Sequence, residues 1–139
     1  MKAEQHAAFS LALSVVLHAV FRSWTTTIVS FLSGILLDLD HIIDYLVEHG
    51  LQLDLKLFMR SFDEGLYNRA YVVLHAWELL FLLGVFTWLT DWNPWLVGLL
   101  AGSGLHLFLD QLVNRPSKWG YFLFWRWKNN FEFRKSFPP

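Results

Sequence analysis

The chain has 139 residues, of which 55% are hydrophobic, 18% aromatic and only 17% charged, with a net charge of −1. Soluble domains carry about 25% charged residues, so this composition indicates a membrane protein or an unusually apolar helical bundle. The near-neutral charge gives no support for a nucleic-acid-binding protein. The absence of cysteine excludes disulfides and thiolate ligands, so any metal site must use His and carboxylate side chains.

Four apolar segments, at 7–21, 24–37 continuing towards Val47, 71–89 and 95–113, predict four helices in chain order. Residues 1–10 lack the cleavage site of a signal peptide, and we expect them to begin the first helix. Each segment approaches the roughly 20 residues needed to span a bilayer and exceeds the length of most strands. We therefore predict an all-α, antiparallel four-helix bundle, transmembrane or very apolar. The bundle covers residues 4–113 of a single domain, 1–139.

Tryptophans and basic residues lie at opposite ends of this predicted bundle. Trp24, Trp88, Trp92 and Trp95 are at the two short turns, as in an interfacial aromatic belt. Ten of the eleven Lys and Arg residues are in the N-terminal residues, the connection 48–70 or the tail 114–139. The positive-inside rule then predicts a multi-pass protein of the inner (plasma) membrane, with both termini towards the cytoplasm.

The two longer polar regions have their own patterns. The connection 48–70 fits an amphipathic helix on the membrane surface or over the end of the bundle. The tail from Pro116 contains nine aromatic and five basic residues, which predicts an interfacial anchor. Single-stranded nucleic acid is the second, less favoured interpretation of this tail, and overall we do not expect nucleic acid as a partner.

Ionisable residues interrupt the apolar helices in three places. The stretch LLDLDHIID closes the second segment, LHAWE lies in the third and HLFLD comes late in the fourth. Such groups cost several kcal/mol each when they are buried without partners. His75 and Glu78 are spaced i,i+3, and His106 and Asp110 i,i+4, so each pair is expected to share a helix face.

In an up-down-up-down bundle these three groups lie at one level, near the cytoplasmic end. His6 begins the first helix at that level, whereas His18 ends it at the tryptophan side and is expected to be a core or interfacial residue. Imidazoles and carboxylates that converge from four helices predict a site for one or two divalent metal ions. The predicted ligands are His6, Asp38, Asp40, His41, His75, His106 and Asp110.

Each piece of this pattern has alternative explanations. A single HxxxD or HxxE on a helix is more often a simple hydrogen-bonded pair. Carboxylates inside a membrane protein can also form a path for protons or ions. The agreement of all the pieces at one level favours the metal site.

The motifs EQH at 4–6, LLDLDH at 36–41, LH at 74–75 and HLFLD at 106–110 resemble those of a known family. This family consists of membrane-bound, metal-dependent hydrolases described as LexA-binding and inner-membrane-associated (YdjM-like). The resemblance covers nearly the whole chain and implies functional roles for the seven predicted ligands. Three family positions differ, since Leu37 replaces a proline, and Ala70 and Tyr71 stand where the family has His and Arg.

The sequence thus predicts a membrane-embedded, metal-dependent hydrolase of a phosphoester, either a lipid or a nucleotide close to the membrane. Zinc is the expected metal, with manganese or magnesium as alternatives. Glu78 or Asp44 would act as the general base, because each shares a helix face with a predicted ligand. The alternative is a non-catalytic metal-binding membrane protein with a structural role, or one that recruits a protein partner through its aromatic tail. An ion or proton conduit is the third hypothesis.

Overall fold

A computed structural model of the chain describes residues 1, 3–51, 54–64 and 67–138. The helices are α1 (Ala3–Phe21), α2 (Trp24–Leu36), α3 (His41–His49), α4 (Leu55–Glu64), α5 (Trp77–Leu89), α6 (Pro94–Val113), α7 (Leu123–Lys128) and α8 (Phe133–Ser136), with a 3-10 turn at Leu37–Asp40 between α2 and α3. The described residues contain no strand, only an isolated bridge between Arg69 and Glu132. The all-α class is confirmed.

Two predicted helix boundaries differ from the structure. The second helix does not run unbroken towards Val47, because the 3-10 turn at Leu37–Asp40 interrupts it. The third helix begins at Trp77 rather than Tyr71, and residues 69–76, which we call the ligand segment, are not helical. Within the connection 48–70, α4 is helical as expected, whereas residues 52–53 and 65–66 lie outside the described residues.

Polar contacts near the tryptophan end fix the directions of the long helices. Ser14 of α1 hydrogen-bonds Ser30 of α2 through the two hydroxyls, at 2.9 Å, and the two helices are joined by a short turn, so they are antiparallel. The Thr26 hydroxyl at the start of α2 donates to the Pro94 carbonyl at the start of α6, at 3.2 Å. Helices α2 and α6 therefore run parallel, and their later turns reach the opposite end of the bundle together.

Small residues allow α1, α2 and α6 to pack closely. A Cβ added at Gly102 would overlap the Ser30 carbonyl oxygen, and one at Gly34 would overlap the Ser10 hydroxyl. At Gly98 an added Cβ would lie 2.8 Å from the Thr26 carbonyl oxygen. Such small-residue interfaces are typical of helices that associate without a hydrophobic driving force between them, as in a bilayer.

The distribution of polarity across these helices is the reverse of that in a water-soluble bundle. All the buried residues of α1 are polar, namely His6, Ser10 and Ser14, whereas Val15, Val16 and Val20 are mostly exposed. Soluble proteins bury such aliphatic side chains. Three helical stretches, Ala3–Phe21, Trp24–His49 and Pro94–Val113, are long and apolar enough to cross a membrane. The fold is therefore consistent with membrane association.

The C-terminal tail packs back onto the bundle. The Ala70 amide donates to the Phe131 carbonyl at 2.8 Å, and the Phe133 amide donates to the Asn68 carbonyl at 2.9 Å. Phe124 and Trp127 of α7 remain largely exposed. The tail therefore covers the ligand segment as well as presenting aromatic side chains outwards.

Candidate metal centre

The faces along which α1, α2 and α6 pack closely continue into the predicted ligands. Along each helix the small residues recur every four positions, which keeps them on one face. The same four-residue step then reaches His6 from Ser10 in α1, Asp38 from Gly34 beyond α2, and His106 and Asp110 from Gly102 in α6. Helix contacts that bring backbones together thus also bring ionisable side chains together at one end.

Two groups of side chains offer ligand atoms that lie within 4.8 Å of one another. The first contains His6, Asp38, His106 and Asp110, and the second contains Asp38, His41 and His75. Asp38 belongs to both groups and joins them. The structure therefore contains a His/Asp cluster that could hold a metal ion, built from α1, the 3-10 turn, the start of α3, the ligand segment and α6.

At the middle of the cluster, five separations among four atoms are close to the ligand spacing of a tetrahedral coordination shell. His75 Nε2 lies 3.1 Å from His106 Nε2, and Asp38 Oδ1 lies 3.5 Å and 3.2 Å from these two nitrogens. Asp110 Oδ2 lies 3.5 Å from each nitrogen. Bonds of about 2.0–2.1 Å to a central tetrahedral ion imply ligand-to-ligand distances of about 3.3 Å, so the measured distances match.

The two central imidazoles are oriented by acceptors on their far side. His106 Nδ1 lies 2.8 Å from the Gly34 carbonyl oxygen, which only accepts, so Nδ1 carries the hydrogen. His75 Nδ1 lies 3.1 Å from Asp40 Oδ2, which likewise favours a hydrogen on Nδ1. In the neutral rings both Nε2 lone pairs then face the centre of the cluster, as is typical of histidine ligands held by carbonyl or carboxylate groups.

The electrostatic environment of His75 favours positive charge. Burial lowers the pKa of this imidazole, but hydrogen bonds with Asp110, Asp38 and Asp40 outweigh burial and raise the pKa well above its ordinary value. Three carboxylates therefore stabilise a cation at this point. A divalent ion in the same place would satisfy the carboxylates that otherwise repel one another.

His6 completes the cluster from the side of α1. Its Nε2 lies 3.0 Å from Asp110 Oδ1, and its ring stacks on that of His106 with centroids 3.7 Å apart. The amino group of Met1 lies 3.1 Å from the same Asp110 oxygen. His6 Nδ1 is buried and has no hydrogen-bond partner among the described residues. His6 thus holds Asp110 in place and is one of the four side chains of the first group of converging ligand atoms.

Asp40 and Asp44 hold the backbone of the ligand segment against the bundle. Asp40 Oδ2 accepts from the Leu74 amide at 2.9 Å, and Asp44 Oδ1 accepts from the Tyr71 amide at 2.8 Å. Between them Val72 adopts a φ of 26°, which is costly for a β-branched residue. Such a conformation persists only where the surroundings enforce it, so His75 is placed by a constrained segment rather than by a helix.

Arg126 of α7 fixes the same segment from the opposite side. Its guanidinium is 0% exposed and donates to the carbonyls of Tyr71 at 2.8 Å, Val72 at 2.9 Å and His75 at 2.8 Å. Burial lowers the pKa of Arg126, while the nearby charges of Asp40 and Asp44 raise it. The ligand segment is thus clamped between two carboxylates and one guanidinium.

The described members of the cluster differ in their exposure to solvent. His6, His75, His106 and Asp110 are almost fully buried, whereas the side chains of Asp38 and His41 are 19% and 21% exposed and lie 3.8 Å apart. Water or a small polar group can therefore approach the cluster past Asp38 and His41.

Several residues have places that the sequence pattern did not predict. His75 and Glu78 do not share a helix face, because His75 precedes the start of α5. Both Glu78 oxygens accept backbone amides of the tail, from Leu123 at 2.9 Å and Phe124 at 3.0 Å. Like Asp44, Glu78 positions backbone, and neither carboxylate belongs to the two groups of converging ligand atoms. The contacts therefore give no support to either residue as the general base.

His18 lies at the tryptophan end, as expected. Its Nδ1 is 3.0 Å from the Thr27 hydroxyl, and its ring packs on Trp24. Arg126 was not among the residues predicted for the site, because it is one basic residue among five in the aromatic tail. No periodic signal marks it, because it lies in a six-residue helix whose partner, the ligand segment, has no regular structure.

Comparison of the chain with protein-family models, with curated proteins and with solved structures gave no match. The resemblance to the YdjM-like hydrolases thus remains a prediction from the four motifs.

Proposed function

We propose that the chain is a membrane-embedded, divalent-metal-dependent hydrolase of phosphoesters. The observation that carries the proposal is the convergence of three buried ligand atoms, His75 Nε2, His106 Nε2 and Asp110 Oδ2, with separations of 3.1 and 3.5 Å. Asp38 Oδ1 lies beside the two nitrogens, at 3.5 and 3.2 Å, on a partly exposed side of the cluster. The motif resemblance agrees with this function. Imidazole and carboxylate ligands suit zinc best, with manganese as an alternative and magnesium a weaker one because it prefers oxygen ligands.

The buried residues of the cluster would hold the ion, and the exposed ones would act on the substrate. His75, His106 and Asp110 provide two nitrogens and one oxygen from a rigid environment. A divalent ion held there would polarise a phosphoryl oxygen and lower the pKa of a water molecule towards neutrality. Asp38, at the open side, is placed to accept a proton from that water, and His41 beside it is placed to orient Asp38.

Metal content tests the first half of this proposal. The protein purified in detergent and loaded with Zn²⁺ or Mn²⁺ should retain about one ion per chain by elemental analysis, or two if His6 contributes to a second site. His106→Ala should reduce retention at least tenfold, whereas the control His18→Ala should not. Equal and negligible metal in the wild type and in His106→Ala would refute the metal site.

Hydrolysis tests the second half. The loaded wild-type protein should cleave bis-p-nitrophenyl phosphate, and Asp38→Asn should lose most of this activity while it retains metal through the three buried ligands. Asp91→Asn, at the tryptophan end, is the matched control. Metal retention without any phosphoester cleavage would refute the hydrolase assignment.

A structural role for the metal is the second candidate, and the burial of His6, His75, His106 and Asp110 favours it. In this case the ion would fasten α1, α6 and the ligand segment together, as closed structural sites do. Metal removal would then lower the unfolding temperature strongly, and no Asp38 variant would alter any reaction. The hydrolysis assay separates the two candidates.

For the membrane we propose an inner-membrane protein with the metal cluster towards the cytoplasm, on the basis of the basic residues at that end. Because the chain lacks cysteine, single cysteines can report the topology. Arg134→Cys should react with an impermeant maleimide only from the cytoplasmic side, and Asp91→Cys only from the opposite side. The reverse pattern would refute this orientation.

A further inference from the structure

An apolar groove of about 440 Å³ runs between α2 and α6. It is lined by Val29, Leu32, Ser33, Leu36, Leu37, Leu74, Trp95, Leu96, Leu99 and Ser103. The only polar side chains in this lining are the two serines and the indole of Trp95. The Ser33 hydroxyl is already within hydrogen-bond distance of the Ser30 and Gly98 carbonyl oxygens. The groove therefore offers almost nothing but hydrocarbon contact to an occupant.

The length of the groove matches one leaflet of a bilayer. Its lining spans nine residues of the chain from Val29 to Leu37 and nine residues of α6 from Trp95 to Ser103, which is eight steps along each side. At 1.5 Å per residue each side is about 12 Å long. Half of a hydrocarbon core of about 30 Å is about 15 Å. Several lining residues, including Leu32, Leu36 and Leu99, are exposed, so the groove is open along its side.

One end of the groove adjoins the metal cluster. Leu37 immediately precedes Asp38, and Leu74 immediately precedes His75. The Leu74 amide also donates to Asp40, the carboxylate that orients His75. A molecule with its apolar part in the groove would thus bring its polar end to Asp38 and His41, the exposed members of the cluster.

We propose that this groove binds one hydrocarbon chain of a membrane lipid and that the phosphate of that lipid reaches the metal cluster. This inference rests on the proposed function and names its substrate class, a lipid phosphoester rather than a nucleotide. A nucleotide has no apolar part that would use the groove, whereas a lipid chain is already present in a bilayer around α2 and α6. The polarity of the groove therefore selects for substrates that carry a long alkyl chain.

The reaction is a hydrolysis and needs only water as a co-reactant. The water oxygen forms a bond to phosphorus, and the P–O bond to the leaving alcohol breaks. Asp38 accepts one proton from the water and passes it to the leaving oxygen, while His41 beside it holds the Asp38 carboxylate in position. The second proton remains with the new phosphate acid group or goes to solvent.

Photolabelling tests occupancy of the groove without any need for catalysis. The full-length protein in nanodiscs is irradiated with a phosphatidylglycerol that carries a diazirine on one acyl chain. Peptides 29–37 and 95–103 should be labelled at least fivefold more than the lipid-exposed residues of α1. Leu99→Trp, which fills the groove, should abolish this preference, and Val16→Trp, on the outer face of α1, should not. Equal labelling of all lipid-exposed helices, unchanged by Leu99→Trp, would overturn the proposal.

Hydrolysis of two substrates then separates this proposal from the proposed function. The ratio of activity on phosphatidylglycerol to activity on bis-p-nitrophenyl phosphate should fall about tenfold in Leu99→Trp and stay unchanged in Val16→Trp. An unchanged ratio in Leu99→Trp would overturn the lipid-substrate inference and leave the hydrolase intact. Preferential labelling without cleavage of either substrate would support lipid binding and refute catalysis.

Discussion

Replacement of Arg126 by methionine tests how the ligand segment is held. The substitution keeps a long apolar stem and removes the guanidinium, which donates to the carbonyls of Tyr71, Val72 and His75. These acceptors lie within five residues of the chain and include the carbonyl of a predicted ligand. The change therefore acts on the placement of His75 without touching any of its side-chain contacts.

The expected magnitude follows from these contacts. A hydrogen bond to a charged group contributes about 1.5–3 kcal/mol, and removing one member of a buried charge network costs about 3–5 kcal/mol. Because the three bonds share one donor group, we expect a loss of about 4 kcal/mol in the stability of the ligand segment. Loss of a group that orients a metal ligand typically lowers metal affinity 10–100-fold. That range corresponds to a loss of about 1.4–2.8 kcal/mol in metal-binding free energy. The rest of the expected loss of about 4 kcal/mol would appear as greater disorder of the ligand segment and not as weaker metal binding.

The assay is a metal titration of the detergent-solubilised protein alongside its circular dichroism spectrum. Arg126→Met should lower the affinity for Zn²⁺ 10–100-fold while the helical signal of α1, α2 and α6 is retained. Arg126→Lys should be intermediate, since one ammonium can reach only some of the three carbonyls. Arg134→Met, an exposed position in α8, is the control. Wild-type metal affinity in a folded Arg126→Met protein would refute the view that the tail positions His75.

Three further predictions concern the site and its supports. Addition of Zn²⁺ at about 100 times its dissociation constant should stabilise the wild type by about 2.7 kcal/mol, which is measured as a rise in unfolding temperature. Asp110→Asn should not show this rise, whereas the control Asp91→Asn should. Gly102→Ala should disrupt the α2–α6 contact, lower the unfolding temperature and weaken metal binding more than tenfold. In the control Gly84→Ala the added Cβ would lie 3.9 Å from its nearest neighbour, so unfolding temperature and metal binding should both be unchanged. Glu78→Gln should increase proteolysis of the tail around α7 yet change kcat on a soluble phosphoester less than threefold; a loss of more than a hundredfold would restore Glu78 as a catalytic candidate.

Hydrophobic segments and their spacing predicted much of the fold. The apolar runs at 7–21 and 95–113 correspond closely to α1 and α6, because long uninterrupted apolar helices need little tertiary information. The prediction was wrong where tertiary contacts override local pattern. Residues 71–76 are apolar enough for a helix. Their backbone groups, however, are hydrogen-bonded to the carboxylates of Asp40 and Asp44 and to the guanidinium of Arg126. These groups are therefore not available for the hydrogen bonds of a helix.

For the site, the pattern identified residues better than it identified roles. The i,i+4 spacing of His106 and Asp110 on a regular helix correctly places both near one point. The i,i+3 spacing of His75 and Glu78 carries no such information, because a helix boundary falls between them. Chemical type alone could not separate Asp38, which faces the centre of the cluster, from Asp40 and Asp44, which bind backbone amides. That distinction depends on the 3-10 turn at Leu37–Asp40, which changes the direction of successive side chains.

The same helical register supports both the packing and the proposed chemistry. A step of four residues carries α6 from Gly98 and Gly102, where it touches α2, to His106 and Asp110, where it meets the other ligands. Any rotation of α6 that removed these ligands would also bring larger side chains into the contact with α2, so the close contact restricts the position of the ligands. His75 is outside this arrangement and needs its own support, which the tail provides through Arg126. Variants of the small residues should therefore displace all the ligands together and abolish metal binding. Variants of Arg126 should displace His75 alone and only weaken metal binding. A metal titration distinguishes these two results.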